Sequence, residues 1–182
     1  MQSAIRQLLL VISLLLLTSC GFHLRGSEPL APPLHNLYIQ SQDPYSQLIR
    51  FLKQALKQSG VHFAETPQSA SAILEIINER QVQQLLSVGG TQQTRVYNLT
   101  LIVAYQLTDP HGRPIANRQE ATETRTVTIQ ANQILGGSNE QSNLFQLMRR
   151  AIIFTIMRHL SSLDVTNALM QTEPAASVPK KG

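Results

Sequence analysis

Gln92-Gln93-Thr94-Arg95-Val96-Tyr97-Asn98-Leu99-Thr100-Leu101-Ile102-Val103-Ala104-Tyr105-Gln106-Leu107-Thr108 is the most regularly alternating stretch of the chain. Tyr97, Leu99, Leu101, Val103, Tyr105 and Leu107 fall on one face, with Asn98, Thr100 and Gln106 on the other. Successive side chains of a strand point to opposite faces, so this period predicts a long, half-buried strand. The stretches on either side alternate too. Ala72 to about Ser87 begins apolar on both faces, at Ile73, Leu74, Ile76 and Ile77, then turns glutamine-rich before a Gly89-Gly90 turn. Asp109-Pro110-His111-Gly112 supplies the next turn. Arg113 to Ile129 follows, with Thr122, Thr124, Thr126 and Thr128 on one face and Ala121, Val127 and Ile129 on the other. Three long strands in a meander are expected. The third is more polar than a core strand requires, so its threonine face is exposed or covered by something this chain does not encode.

Working outward, each end of the meander meets a helical pattern. His35 to Gln40 alternates over a short first strand. Asp43-Pro44 reads as an N-cap and N1 pair. Tyr45, Leu48, Ile49, Leu52, Ala55 and Leu56 then recur at helical spacing, opposite Arg50, Lys53, Gln54 and Lys57, and Gly60 stands where a C′ glycine ends a helix. Val61 to Phe63 is a brief extended piece. Ser138-Asn139-Glu140-Gln141 has the pattern of a capping box, opening a second helix that runs to about Leu163. This helix has two apolar stripes. Leu144, Leu147, Met148, Ala151, Ile152 and Thr155 make one, and Ile153, Met157 and Leu160 make another nearly opposite. A helix apolar on two sides must be covered on two sides, by its own chain or by a partner. Ile153, Met157 and Leu160 are therefore the candidate partner contacts. The order is β-α-β-β-β-α, an α+β domain over residues 35–163, with residues 164–182 as a disordered tail in which a short helix continues through Leu169-Met170.

The chain of 182 residues carries a net charge of +4, with its lysines and arginines scattered. No stripe or patch marks a nucleic-acid binder. The one cysteine, Cys20, rules out an internal disulfide framework and a multi-cysteine metal site. Arg6 precedes an apolar run from Leu8 to Leu17, broken only by Ser13. The run is shorter than the roughly 20 residues a membrane span needs, and it suits a secretory signal peptide over residues 1–19. Leu17-Thr18-Ser19-Cys20 resembles a bacterial lipobox, in which the cysteine becomes the acylated first residue of the mature chain. Each buried methylene of such an anchor contributes about 0.8 kcal/mol, and two or more acyl chains hold stably. Gly21, rather than aspartate, resembles the sorting signal for the outer membrane. Residues 20–34 are then anchor and spacer, with Pro29, Pro32 and Pro33 keeping the chain extended.

Catalytic patterns are missing from the sequence. His23, His35, His62, His111 and His159 show no HExxH or other short metal-ligand spacing, and there is no GxSxG elbow. Gly89-Gly90 and Gly136-Gly137 lack the companions of a phosphate loop. Glu75 and Glu79 fall on one face of a strand with no histidine beside them, as solvated carboxylates do. The expectation is no enzyme, no cofactor and no metal. Arg95, Arg149 and Arg150 have the guanidinium fork that suits phosphate or carboxylate, although an ordinary solvated arginine is the simpler reading of each.

Cys20-Gly21-Phe22-His23-Leu24-Arg25-Gly26 is very similar to the start of the mature LPS-assembly lipoproteins, the LptE family. The order of elements, Tyr97 and Asn139-Glu140-Gln141 are similar to that family's landmarks, so the resemblance covers Met1 to about Leu163. It implies two helices on a mostly antiparallel four-stranded sheet. It also implies an outer-membrane lipoprotein of lipopolysaccharide transport, facing the periplasm, that plugs and helps assemble the LptD β-barrel and binds lipopolysaccharide. A polar, enclosing barrel lumen would suit both the threonine-rich strand and the two-sided helix. The resemblance places basic residues in the loops near Gly89-Gly90 and Gly136-Gly137, where this chain has glycine. Arg95 is the nearest basic candidate for a ligand contact. The alternative is an envelope lipoprotein that recognises peptidoglycan or another assembly machine.

Overall fold

In the computed structural model, which describes residues 30–90, 94–130 and 134–172, the three long alternating stretches are long paired strands. In chain order the strands are β1 (Asn36–Ser41), β2 (His62–Phe63), β3 (Ala72–Val88), β4 (Thr94–Thr108) and β5 (Pro114–Gln130). The helices are α1 (Gln47–Gln58), α2 (Ile134–Leu160) and α3 (Leu163–Thr172), with short 3₁₀ turns at Pro32–His35 and Pro67–Ser69. The sheet order is β2-β1-β3-β4-β5. β3, β4 and β5 pair antiparallel, while β1 runs parallel to both β2 and β3.

This corrects the expected four-stranded sheet with two helices: the sheet is mixed and five-stranded, and there are three helices among the described residues. The fifth strand is His62–Phe63, which pairs with Asn36 and Leu37. Two residues are too short to show an alternation. The third helix contains the short helical stretch expected at Leu169-Met170, but it runs from Leu163 to Thr172 and is packed into the fold where a disordered tail was expected. Its Val165 and Leu169 are 1% and 3% exposed and belong to the core. At the other end, Leu30, Ala31 and Leu34 are buried in the core, so the expected spacer is already packed there.

The helices cover one face of the sheet. Leu99, Leu101, Val103, Tyr105 and Leu107 of β4 are buried on that face, in the predicted period, against Leu48, Leu52 and Leu56 of α1 and Met148, Ile152 and Ile156 of α2. Burying one such side chain contributes about 1.5–3 kcal/mol. A bulge at Ile77, between the paired positions Ile76 and Asn78, reverses the side-chain phase of β3. Before the bulge the strand is buried on both faces, at Ile73 and at Leu74 and Ile76. The bulge also places Glu75, opposite Gln106, and Glu79, opposite Val103, on different faces of the sheet, not on one.

Helix ends follow local chemistry. α1 starts later than Asp43-Pro44 predicts: Ser46 is its N-cap and accepts a hydrogen bond from the Ile49 N–H at 3.3 Å, while the Asp43 carboxylate accepts from the Tyr45 N–H. Its end is as expected. Gly60, at φ +82°, donates to the Lys57 carbonyl, and Val61 donates to the Leu56 carbonyl, the paired bonds of a Schellman motif. α2 begins at Ile134, so Gly136-Gly137 lie in its first turn and Ser138–Gln141 are inside the helix.

Candidate interaction surfaces

The predicted lipid-attachment residue, Cys20, and its leader lie outside the described residues. Arg95 is exposed near the start of β4, where it pairs across to Val88 of β3 and Ile129 of β5. The β3–β4 tip around it is held by a hydrogen bond from the Gly89 N–H to the Thr94 carbonyl, 2.7 Å. β3 leaves Val82, Leu85, Leu86 and Val88 between 40% and 52% exposed along this arm. A second bulge, at Leu86, loosens the register there.

The second stripe of α2 is not available to a partner. Ile153 and Leu160 are 5% and 0% exposed, and Met157 is half-buried against the same core. α2 packs over β5 and α1, and α3 folds back over β5, so this chain covers the second stripe itself and all of the first but Leu147 at its edge. Among the described residues, the large apolar side chains that α2 exposes are Leu147 and Phe154, at 55% and 67%. The sequence missed this because a two-sided stripe does not say which element supplies the cover.

Arg149 is neither a free arginine nor a phosphate fork. Its Nε and Nη2 both lie 2.8 Å from Glu79 Oε1, and Nη1 donates to the Gln47 side-chain oxygen at 3.2 Å. The pair is largely buried and ties α2 to β3 and α1. Arg150 instead lies over the Phe51 ring of α1, its guanidinium carbon 5.6 Å from the ring centroid. Farther along α2, Tyr105 and His159 meet edge to face, with the phenol 3.1 Å from Nδ1. Burial pushes the Tyr105 hydroxyl up to about 12. Burial also pushes His159 down, with Asp164 opposing it. A neutral phenol donating to a neutral imidazole fits both shifts.

Along β5 the opposite sheet face is polar. Thr122, Thr124, Thr126 and Thr128 are all exposed, as their pattern predicts, and Thr124 shares a 3.4 Å hydrogen bond with Thr100 across the strands. At the end of the sheet far from Arg95, an open cleft of about 540 Å³ is lined by Pro32, Pro33, Asp109, His111, Arg113 and Met170, among others. Its carboxylate is already engaged. Asp109, 3% exposed, accepts hydrogen bonds from the His111 and Arg113 N–H groups and from Arg113 Nε. Burial alone would raise this carboxyl, but the hydrogen bonds and the Arg113 charge outweigh it and hold the group below its ordinary value. Among the described residues no buried side-chain nitrogen or oxygen lacks a partner, no cluster of acidic, histidine or cysteine side chains could hold a metal ion, and no helix is long and apolar enough to cross a membrane.

These features define an α+β domain whose unburied elements are surfaces: an apolar-edged arm, a threonine-rich sheet face and the outer side of two helices. A family model described as LptE, lipopolysaccharide-assembly, matches residues 34–160. The LPS-assembly lipoprotein LptE of Photorhabdus laumondii is 30% identical over 173 residues, 94% of this chain and 92% of that one. The protein of the same name from Yersinia enterocolitica is 34% identical over 111 residues, 60% of this chain and 54% of that one. Among solved structures, an uncharacterized lipoprotein B from Nitrosomonas europaea shares the fold, with a TM-score of 0.66 and 23% identity over 84% of this chain and 97% of that one. The chain belongs to the LptE family of LPS-assembly lipoproteins.

Proposed function

We propose that the chain is an outer-membrane lipoprotein, tethered by acyl chains on Cys20, that serves lipopolysaccharide transport as plug and assembly partner of an LptD-like β-barrel. The observation that carries this reading is the family match across residues 34–160, most of the described domain. Residues 1–19 are the signal peptide in this account, and residues 20–29 join the anchor to the folded domain. The role is one of binding and placement, not catalysis. The threonine face supports the plug. A barrel lumen is polar, and a sheet face of hydroxyls can exchange hydrogen bonds with such a wall or with its water.

Arg95 is the ligand contact in this reading. It stands exposed at the tip of the arm, beside apolar side chains of β3, a combination suited to a phosphorylated lipid. Arg95→Ala should weaken lipopolysaccharide binding in part, and unchanged binding would remove it as a site. The broader reading is tested with the domain lacking Cys20, co-expressed with the barrel. It should co-purify, and a folded domain that does not would contradict the plug.

A further inference from the structure

The helix layer presents mostly positive charge to solvent, its exposed carboxylates being Glu140 near the start of α2 and Asp164 of α3 among the described residues. Arg50, Lys53 and Lys57 of α1 are exposed, and no carboxylate occurs from Gln47 to Gln58. α2 adds exposed Arg150 and Arg158 and has no acidic residue after Glu140. The one other arginine of α2, Arg149, points inward and is neutralised by Glu79. α1 and α2 pack side by side, and Arg150 reaches across to Phe51, so the cations of both helices share one surface. The long strands differ, because Glu75, Glu79, Glu120 and Glu123 are interspersed with their arginines. On α2, Leu147, Arg150, Phe154 and Arg158 follow one another at i+3 or i+4 and make a single ridge. Two of the four are large, exposed apolar groups.

We propose that this face lands on the anionic headgroups of the bilayer leaflet that holds the tether, in the state before the domain enters its partner. The inference rests on the tethered-lipoprotein reading above. Cations that pair with lipid phosphates, next to Leu147 and Phe154 that dip into the interface, are the two components of peripheral membrane binding. Placement agrees. Leu30 and Ala31, the first described residues, are buried in the core beneath this layer, so the chain joins the domain on the helix side of the sheet. The stretch from Cys20 to Leu30 reaches at most about 35 Å, enough to let the layer meet the surface.

The chain has no tryptophan, so Phe154→Trp places a single tryptophan, excited apart from the four tyrosines, at an exposed position. The full mature lipoprotein with this substitution is reconstituted into nanodiscs of phosphatidylcholine, with and without phosphatidylglycerol. With phosphatidylglycerol the emission should shift to the blue and be quenched by brominated acyl chains. Both effects should vanish near 1 M salt, where the screening length falls to about 3 Å. Adding Arg50→Gln, Lys53→Gln and Arg158→Gln should reduce the docked population about fivefold per cation removed. Circular dichroism verifies the fold, and the salt dependence of the Phe154→Trp protein alone decides the question without those further variants. Equal emission in both discs, a shift insensitive to salt, or a shift that comes only when the barrel is added overturns the proposal. Retention on neutral discs reads the acyl tether separately. A chain not retained there, yet captured by phosphatidylglycerol discs in a salt-sensitive way, would refute the tether and support the docking face.

Discussion

Asp109 shows how one side chain can close a turn and set an acid limit. It receives two backbone N–H groups and the Arg113 side chain, and Gly112 beside it adopts φ +80°. Because the folded carboxyl is held below its ordinary value, its stabilisation is fully present above about pH 4, the unfolded range, and is lost as pH falls through the folded value. Asp109→Ala should cost about 1–3 kcal/mol at neutral pH and flatten the acid limb of a pH-dependent melt. A limb of unchanged steepness would show that other carboxylates govern it. Arg149 makes a different kind of claim. Arg149→Ala leaves Glu79 in a largely buried place and should cost about 1–3 kcal/mol. Arg149→Met with Glu79→Leu should recover most of that, since a buried pair is hard to break singly but readily exchanged for apolar packing. Urea melts of both decide it.

At the scale of elements, adjacent residues of α2 separate what packing uses from what it leaves out. Ile153→Ala should cost about 2–5 kcal/mol, and Phe154→Ala should stay within about 0.5 kcal/mol. Similar losses at the two positions would contradict the assignment of the second stripe to the core. β3 to β5 were legible in the sequence because strands of this length repeat a period of two many times. The C′ glycine at Gly60 was legible because the backbone conformation there favours that residue type. β2 was hidden by its brevity, the phase change in β3 by a bulge that no single residue announces, and the packing of α3, of which only a short continuation at Leu169-Met170 was expected, by a composition that suits a tail as well as a helix. The surfaces were less legible than the fold. Thr122 to Thr128 declared an exposed face, but the engagement of Arg149 with a residue seventy positions away has no local signal. Cys20 lies outside the described residues, and its role as the lipid anchor remains part of the proposal.

For the whole molecule, the account joins three surfaces to one tether. The sheet's threonine face points away from the basic helix layer, and the arm that ends near Arg95 stands at one end of the sheet. In the proposed role, between a membrane, a barrel and a lipid, the domain has a use for each. The most direct measurement is to extract an affinity-tagged full-length copy from its membranes and identify what comes with it by mass spectrometry. The account predicts stoichiometric recovery of a large outer-membrane β-barrel of the LptD kind, together with an acylated N-terminal Cys20. Recovery of peptidoglycan-binding or other assembly proteins without that barrel would contradict it.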